Sequence, residues 1–137
     1  MATSFELIDE GVMRSVAVTI EDGRVFIPAA ELARATGWTL KPEGLCRDAA
    51  CVPVRDRAAL VAAGGVDLAC FAAALGRPLA LDVAEGTAAL GTAAADRSAA
   101  LASLEAPDFS LPDLAGRLHT LSEHRGKKAL LIAYASW

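Results

Sequence analysis

Two stretches of the chain repeat one pattern 39 residues apart, and this repetition constrains the fold more than any other feature. Ile27 to Leu40 aligns with Val66 to Leu79. Ala30/Ala69, Ala33/Ala72, Ala35/Ala74, Gly37/Gly76 and Leu40/Leu79 are identical, and Leu32/Phe71 are both large and apolar. Each copy reads as a strand end, a short helix closed by glycine, and a second strand. Pro28 suits a first helical turn, where its missing N–H costs nothing. Gly37 supplies the left-handed residue that ends such a helix, and Leu32 and Ala35 fall on its inner face. Asp67 caps the second helix by accepting its free N–H groups.

The flanks extend the pattern. Val16, Val18 and Ile20 alternate with Ala17 and Thr19, as in a half-buried strand. Glu21-Asp22-Gly23-Arg24 is a hairpin turn, with Asp-Gly at its centre, and Val25-Phe26-Ile27 returns. After the second copy come a strand from Leu79 to Val83, a turn at Glu85-Gly86, and Ala88-Ala89-Leu90. The expected class is α+β. Residues 1–11 show no clear pattern and read as an N-terminal extension. Residues 12–91 form a small α+β domain with the internal repeat (27–40 and 66–79). Within it, residues 55–63 read as a short helix broken by Gly64-Gly65. Residues 92–104, rich in Ala, Ser and charge, read as a helical linker, and a third region runs over 105–137.

Composition removes several function classes. The chain has 137 residues, room for one average domain or two small ones. Its apolar content is 54%, much of it Ala, and aromatics are 5%. A net charge of −4 and a pI near 5.1 leave no basic stripe to meet phosphates, which argues against nucleic acid as a partner. No run of about 18 apolar residues exists, so no membrane span is expected. The acidic start lacks the basic-then-apolar order of a signal peptide, so the cytoplasm is the expected compartment. No phosphate-cradling glycine motif occurs, and no cofactor is expected.

The chemistry-bearing candidates are the cysteines. Cys46 and Cys51 flank a turn centred on Asp48, and a hairpin there would bring them close together. Three readings stay open. They form a disulfide or redox pair, or half of a metal site completed by Cys70, His119 or His124, or unpaired structural thiols. Redox dithiols and zinc half-sites favour two intervening residues rather than four, so no metal site is assigned. Arg47 and Asp48 stand beside Cys46 and tune its acidity. Cys70 reads as a small buried residue. His119 and His124 read as solvated side chains, and Arg125, Lys127 and Lys128 as a solvated turn. Trp38 packs in the core or stacks on a ligand.

Val25 to Gly37, and more loosely residues 66–79, resemble the N-terminal repeat of copper amine oxidase-like proteins. That resemblance implies a fold and little chemistry.

A second resemblance covers about a quarter of the chain. Ala106-Pro107-Asp108-Phe109, Leu111 to Leu114, Gly116, Leu121-Ser122, Gly126-Lys127 and the run Leu130 to Trp137 are similar to the opening of redoxins in the thioredoxin superfamily. These are the peroxiredoxins of the alkyl hydroperoxide reductase/thiol-specific antioxidant type and the TlpA-like thiol–disulfide oxidoreductases. The resemblance implies the truncated start of a thioredoxin-like fold. Phe109 and Leu111 would anchor a hairpin, Ser122 would cap a short turn, and Leu130 to Ala135 would form a strand buried on both faces. It also implies an oxidoreductase or antioxidant activity for a longer parent, with a thiol or disulfide redox protein as partner. In such families the residue after the tryptophan is commonly the nucleophilic cysteine, at a helix N-terminus that favours thiolate. Trp137 matches the position flanking that site. No residue here matches the cysteine itself, so no catalytic residue is assigned, and the chain alone is expected to be inactive. A non-enzymatic binding module built on 12–91 is the alternative.

Overall fold

A computed structural model describes residues 3–62 and 64–135. It divides into two compact units, Met1–Ala99 and Ala100–Trp137. In chain order the first unit holds β1 (Thr3–Asp9), β2 (Val12–Glu21), β3 (Arg24–Ile27), α1 (Ala29–Thr36), β4 (Thr39–Lys41), β5 (Gly44–Arg47) and β6 (Ala50–Val52). Then follow α2 (Arg57–Leu60), β7 (Val61–Ala62), β8 (Gly65–Asp67), α3 (Leu68–Ala74), β9 (Leu79–Asp82) and β10 (Thr87–Leu90). Helix α4 (Ala94–Ala102) runs across the division.

The structure is mixed α and β. Seven strands form one sheet in the order β7-β8-β3-β2-β1-β10-β9, and β4-β5-β6 form a second, smaller one. Within the large sheet β1 and β10 pair in parallel, while its other neighbours run antiparallel. The two segments that align at 39 residues meet directly, since Ile27 of β3 lies opposite Val66 of β8.

The N-terminal segment corrects the reading of residues 1–11 as an extension. Strand β1 lies inside the large sheet, with β2 on one side and β10 on the other. Phe5, Leu7 and Asp9 are buried on its inner face, at the two-residue period of a strand. The turn into β2 is Glu10-Gly11, with φ of 50° and 76°. Those positive angles match the sheet's twist in a two-residue hairpin. Asp22-Gly23 makes the same turn between β2 and β3.

Helix α1 starts after Pro28, whose carbonyl accepts the Leu32 N–H. It ends at Gly37, left-handed at φ 76°, whose N–H returns to the Ala33 carbonyl. Leu32 and Ala35 face the core. Helix α3 begins at Asp67, whose Oδ1 accepts the Cys70 N–H at 2.7 Å. The helix read over 55–63 is shorter than expected. Asp56 caps it by accepting the Ala59 N–H, but the chain leaves at β-branched Val61 to pair with β8. The core gathers Phe5, Leu7, Val18, Ile27, Leu32 and Phe71 with their neighbours.

In the second unit β11 (Ser110–Pro112) and β12 (Leu118–Thr120) form a hairpin, followed by a 3-10 turn over Leu121–His124. Asp113 Oδ1 closes the hairpin by accepting the Ala115 and Arg117 N–H groups. The 3-10 turn is not capped by the Ser122 hydroxyl as expected. Asp108 Oδ1 instead accepts the Ser122 N–H at 2.9 Å. The expected buried strand at Leu130 to Ala135 is also corrected, because this segment has no regular structure. Leu130 is 87% exposed and Tyr134 88%. A strand needs partners for its backbone groups, and none flanks it among the described residues. Trp137 lies outside the described residues.

Candidate functional site

The β5–β6 hairpin carries the chemistry. Asp48 turns it with φ 53°, a left-handed angle that Asp tolerates better than most residues. The two-residue loop places Cys46 opposite Cys51 in register, and the two form a disulfide with their Cα atoms 4.1 Å apart. Cys46 is buried and Cys51 is exposed. One cysteine of the pair therefore lies at the surface while the other is anchored in the core.

A third group joins them. The Glu43 carboxylate and both sulfurs lie within 4.8 Å of one another. The turn that delivers Glu43 depends on Gly44. Its φ is +145°, and a Cβ there would stand 2.1 Å from the Val52 carbonyl oxygen. No side chain fits, so β5 can approach β6 this closely only with glycine.

Alternation along a strand puts Arg47 on the hairpin face opposite Cys46. Its guanidinium donates to Glu10 Oε1 at 2.9 Å and stands 5.2 Å over the Trp38 ring. The hydrogen bond from Arg47, then its charge, holds the Glu10 carboxyl below its ordinary value. Trp38 is buried in the core, and its Nε1 has no hydrogen-bond partner among the described residues. Arg77 forms a buried ion pair with Asp9, and its Nε donates to the Gly91 carbonyl at 2.7 Å. Glu10, Trp38, Arg47, Arg77 and Asp96 border a cleft of about 770 Å³.

The other candidates are placed as follows. Cys70 is a free, half-buried thiol. Burial, then its contact with Asp67, pushes its acidity toward higher pH, so it is a poor nucleophile at neutrality. It is not part of the Glu43–Cys46–Cys51 group. His119 is half exposed, and its Nε2 lies 3.1 Å from Asp113 Oδ2. His124 is exposed on the 3-10 turn. Sequence reasoning missed Glu43 and Glu10. Glu43 stands next to the one glycine whose φ folds the turn back onto β6, and that adjacency is the available signal.

Compared with protein-family models, with curated proteins and with solved structures, the chain matches none of them.

Proposed function

We propose that the chain belongs to a redoxin-type thiol–disulfide oxidoreductase, with Cys46 and Cys51 as a redox-responsive pair in its first unit. The observation that carries this reading is the pair itself, set directly across two strands with one cysteine exposed and a carboxylate within 4.8 Å of both sulfurs. An incoming thiolate attacks Cys51 Sγ, the Cys46–Cys51 bond breaks, and Cys46 leaves as a thiolate that takes up a proton. The second thiol of a dithiol reductant then releases Cys51, so the protein gains two thiols and the reductant becomes a disulfide. The motif series from Ala106 to Lys127 supports the redoxin class. In that reading the repeat domain precedes the start of a thioredoxin-like fold.

The partner is a dithiol redox protein rather than nucleic acid or membrane. No helix among the described residues is long and apolar enough to cross a membrane. We place the chain in the cytoplasm, where disulfides are usually transient and redox-linked rather than structural. Alkylation mass spectrometry tests the pair. The oxidised chain is expected to label at Cys70 alone and the reduced chain at all three cysteines. Identical labelling in both states rejects the redox pair. Reading the coding sequence past codon 137 tests the class: a cysteine codon soon after supports it, and a stop codon overturns it.

The cleft favours a second reading, a non-enzymatic binding module built on residues 12–91. Ligand binding that survives deletion of residues 105–137 supports it.

A further inference from the structure

The structure assigns a further site to the same hairpin: when the disulfide is reduced, Cys46, Cys51 and Glu43 bind one Zn²⁺. The inference rests on the redox reading of that pair. The three potential ligand atoms, two sulfurs and a carboxylate oxygen, lie within 4.8 Å of one another. Ligands on a tetrahedral zinc, with Zn–S of about 2.3 Å and Zn–O of about 2.0–2.2 Å, stand roughly 3.5 Å apart. Once the sulfur–sulfur bond is broken, small side-chain rotations bring the three groups to that spacing. The backbone need not rearrange, because the hairpin register already holds the two cysteines opposite each other.

The donor set selects the metal. Two thiolates and one carboxylate suit a borderline-soft divalent cation, and harder ions such as Mg²⁺ prefer all-oxygen shells. Three protein ligands leave one tetrahedral position for water or an exogenous group, and the exposure of Glu43 and Cys51 keeps that position open to solvent. The balance is closed. A dithiol reductant supplies two electrons and two protons to the disulfide. Zn²⁺ then displaces two protons from the thiols and takes a Glu43 carboxylate oxygen as its third ligand. A disulfide oxidant takes two electrons from the two thiolates and two protons from water to become a dithiol, the Cys46–Cys51 bond re-forms and Zn²⁺ is released, so the hairpin alternates between a disulfide state and a zinc state. Cys70, the remaining thiol, takes no part.

The test uses the full chain, reduced with a phosphine and freed of it under exclusion of oxygen. Zn²⁺ is titrated by calorimetry, and Co²⁺ is followed by its thiolate charge-transfer absorption. The reduced chain is expected to bind one Zn²⁺, and the oxidised chain none. Cys51→Ser, at the exposed ligand, is expected to abolish the Co²⁺ thiolate signature of a two-sulfur site. Glu43→Gln is expected to weaken binding by at least about tenfold, the low end of what even outer-shell losses cost. Cys70→Ser is expected to change nothing. Two free thiols at Cys46 and Cys51 that bind no zinc overturn the metal site and leave the redox reading standing. Equal labelling of the two cysteines before and after reduction overturns the redox reading itself. Binding that is undiminished in Glu43→Gln, or vanishes in Cys70→Ser, overturns the assigned ligand set.

Discussion

The two units of this chain are both rich in apolar residues, but only one of them buries its apolar residues. In the first unit, Phe5, Leu7, Ile27, Leu32, Leu45, Leu60, Leu68 and Phe71 are each 2% exposed or less. In the second, Leu111, Leu114, Leu118, Leu130, Leu131, Ile132 and Tyr134 are all at least 60% exposed. The difference is one of partners. Strands β1, β2, β3, β8 and β10 each have neighbours on both edges, and helices α1 and α3 contribute Leu32 and Phe71 to the core. The second unit offers a two-stranded hairpin, and a lone hairpin is marginal in water. Apolar content therefore marks a core only where the topology supplies a second surface.

The largest expected effect tests that contrast. Phe71→Ala removes a side chain that is fully buried in the core. It should cost about 3–5 kcal/mol, the usual range for buried Phe→Ala, read as a lowered denaturation midpoint. Leu131→Ala, at a side chain 68% exposed, should change stability by no more than about 0.5 kcal/mol. Comparable losses in the two variants would mean that the second unit has a packed surface of its own, and the contrast would fail.

Gly44→Ala is next. The backbone angle alone costs roughly 1–3 kcal/mol for a residue with a side chain, and the contact with the Val52 carbonyl adds to it. The variant should lose stability and should also re-form the Cys46–Cys51 bond more slowly after reduction. Unchanged reoxidation would show that β5 and β6 meet without this close approach.

Legibility in the sequence followed the same line between local and long-range information. Helix α1, its Gly37 cap and the Asp67 cap of α3 were readable because each depends on residues within one turn of chain. The Cys46–Cys51 hairpin was readable for the same reason, since the Asp48 turn and its two arms are contiguous. Strand β1 was not. Its turn is Glu10-Gly11 rather than the usual Asn-Gly or Asp-Gly, and its second neighbour, β10, comes from the far end of the unit. Glu43 was missed because its place beside the sulfurs depends on the φ of Gly44, and the adjacent glycine marks a turn without saying which strand it folds onto. The run from Leu130 to Ala135 misled in the opposite sense. Its composition is that of a buried strand, but burial is decided by what packs on it.

Reduction of the disulfide should lower the stability of the first unit by roughly 2 kcal/mol, the loop-closure entropy for so short a ring. The measurement is urea unfolding with and without a phosphine reductant, followed by Trp38 fluorescence. That residue stands beside the hairpin, under the Arg47 guanidinium. A midpoint that does not move would mean that the register of β4, β5 and β6 alone holds the hairpin shut. The cysteines would then open and close at no cost to the fold, which would sharpen rather than weaken their assignment as a switch.

The smallest effect concerns the link between the hairpin and the sheet. Glu10 sits in the β1–β2 turn and accepts a hydrogen bond from Arg47 at 2.9 Å. That hydrogen bond holds its folded-state pKa below the ordinary 4.5. A carboxyl with a depressed folded value stabilises the fold at pH above the ordinary value. That contribution is lost as the pH falls through the folded value, because the unfolded chain then binds the proton first. Glu10 is 62% exposed, so solvent screens the pair and its worth is at most about 1 kcal/mol. Glu10→Gln should therefore be slightly less stable than the parent at neutral pH. The gap should close as the pH drops below 4.5, and added salt should narrow it at neutrality. A gap that persists unchanged into acid would mean that it does not come from the Glu10–Arg47 charge pair, leaving Arg47 held by its packing over Trp38. The hairpin would then be anchored to the rest of the first unit through its packed face alone.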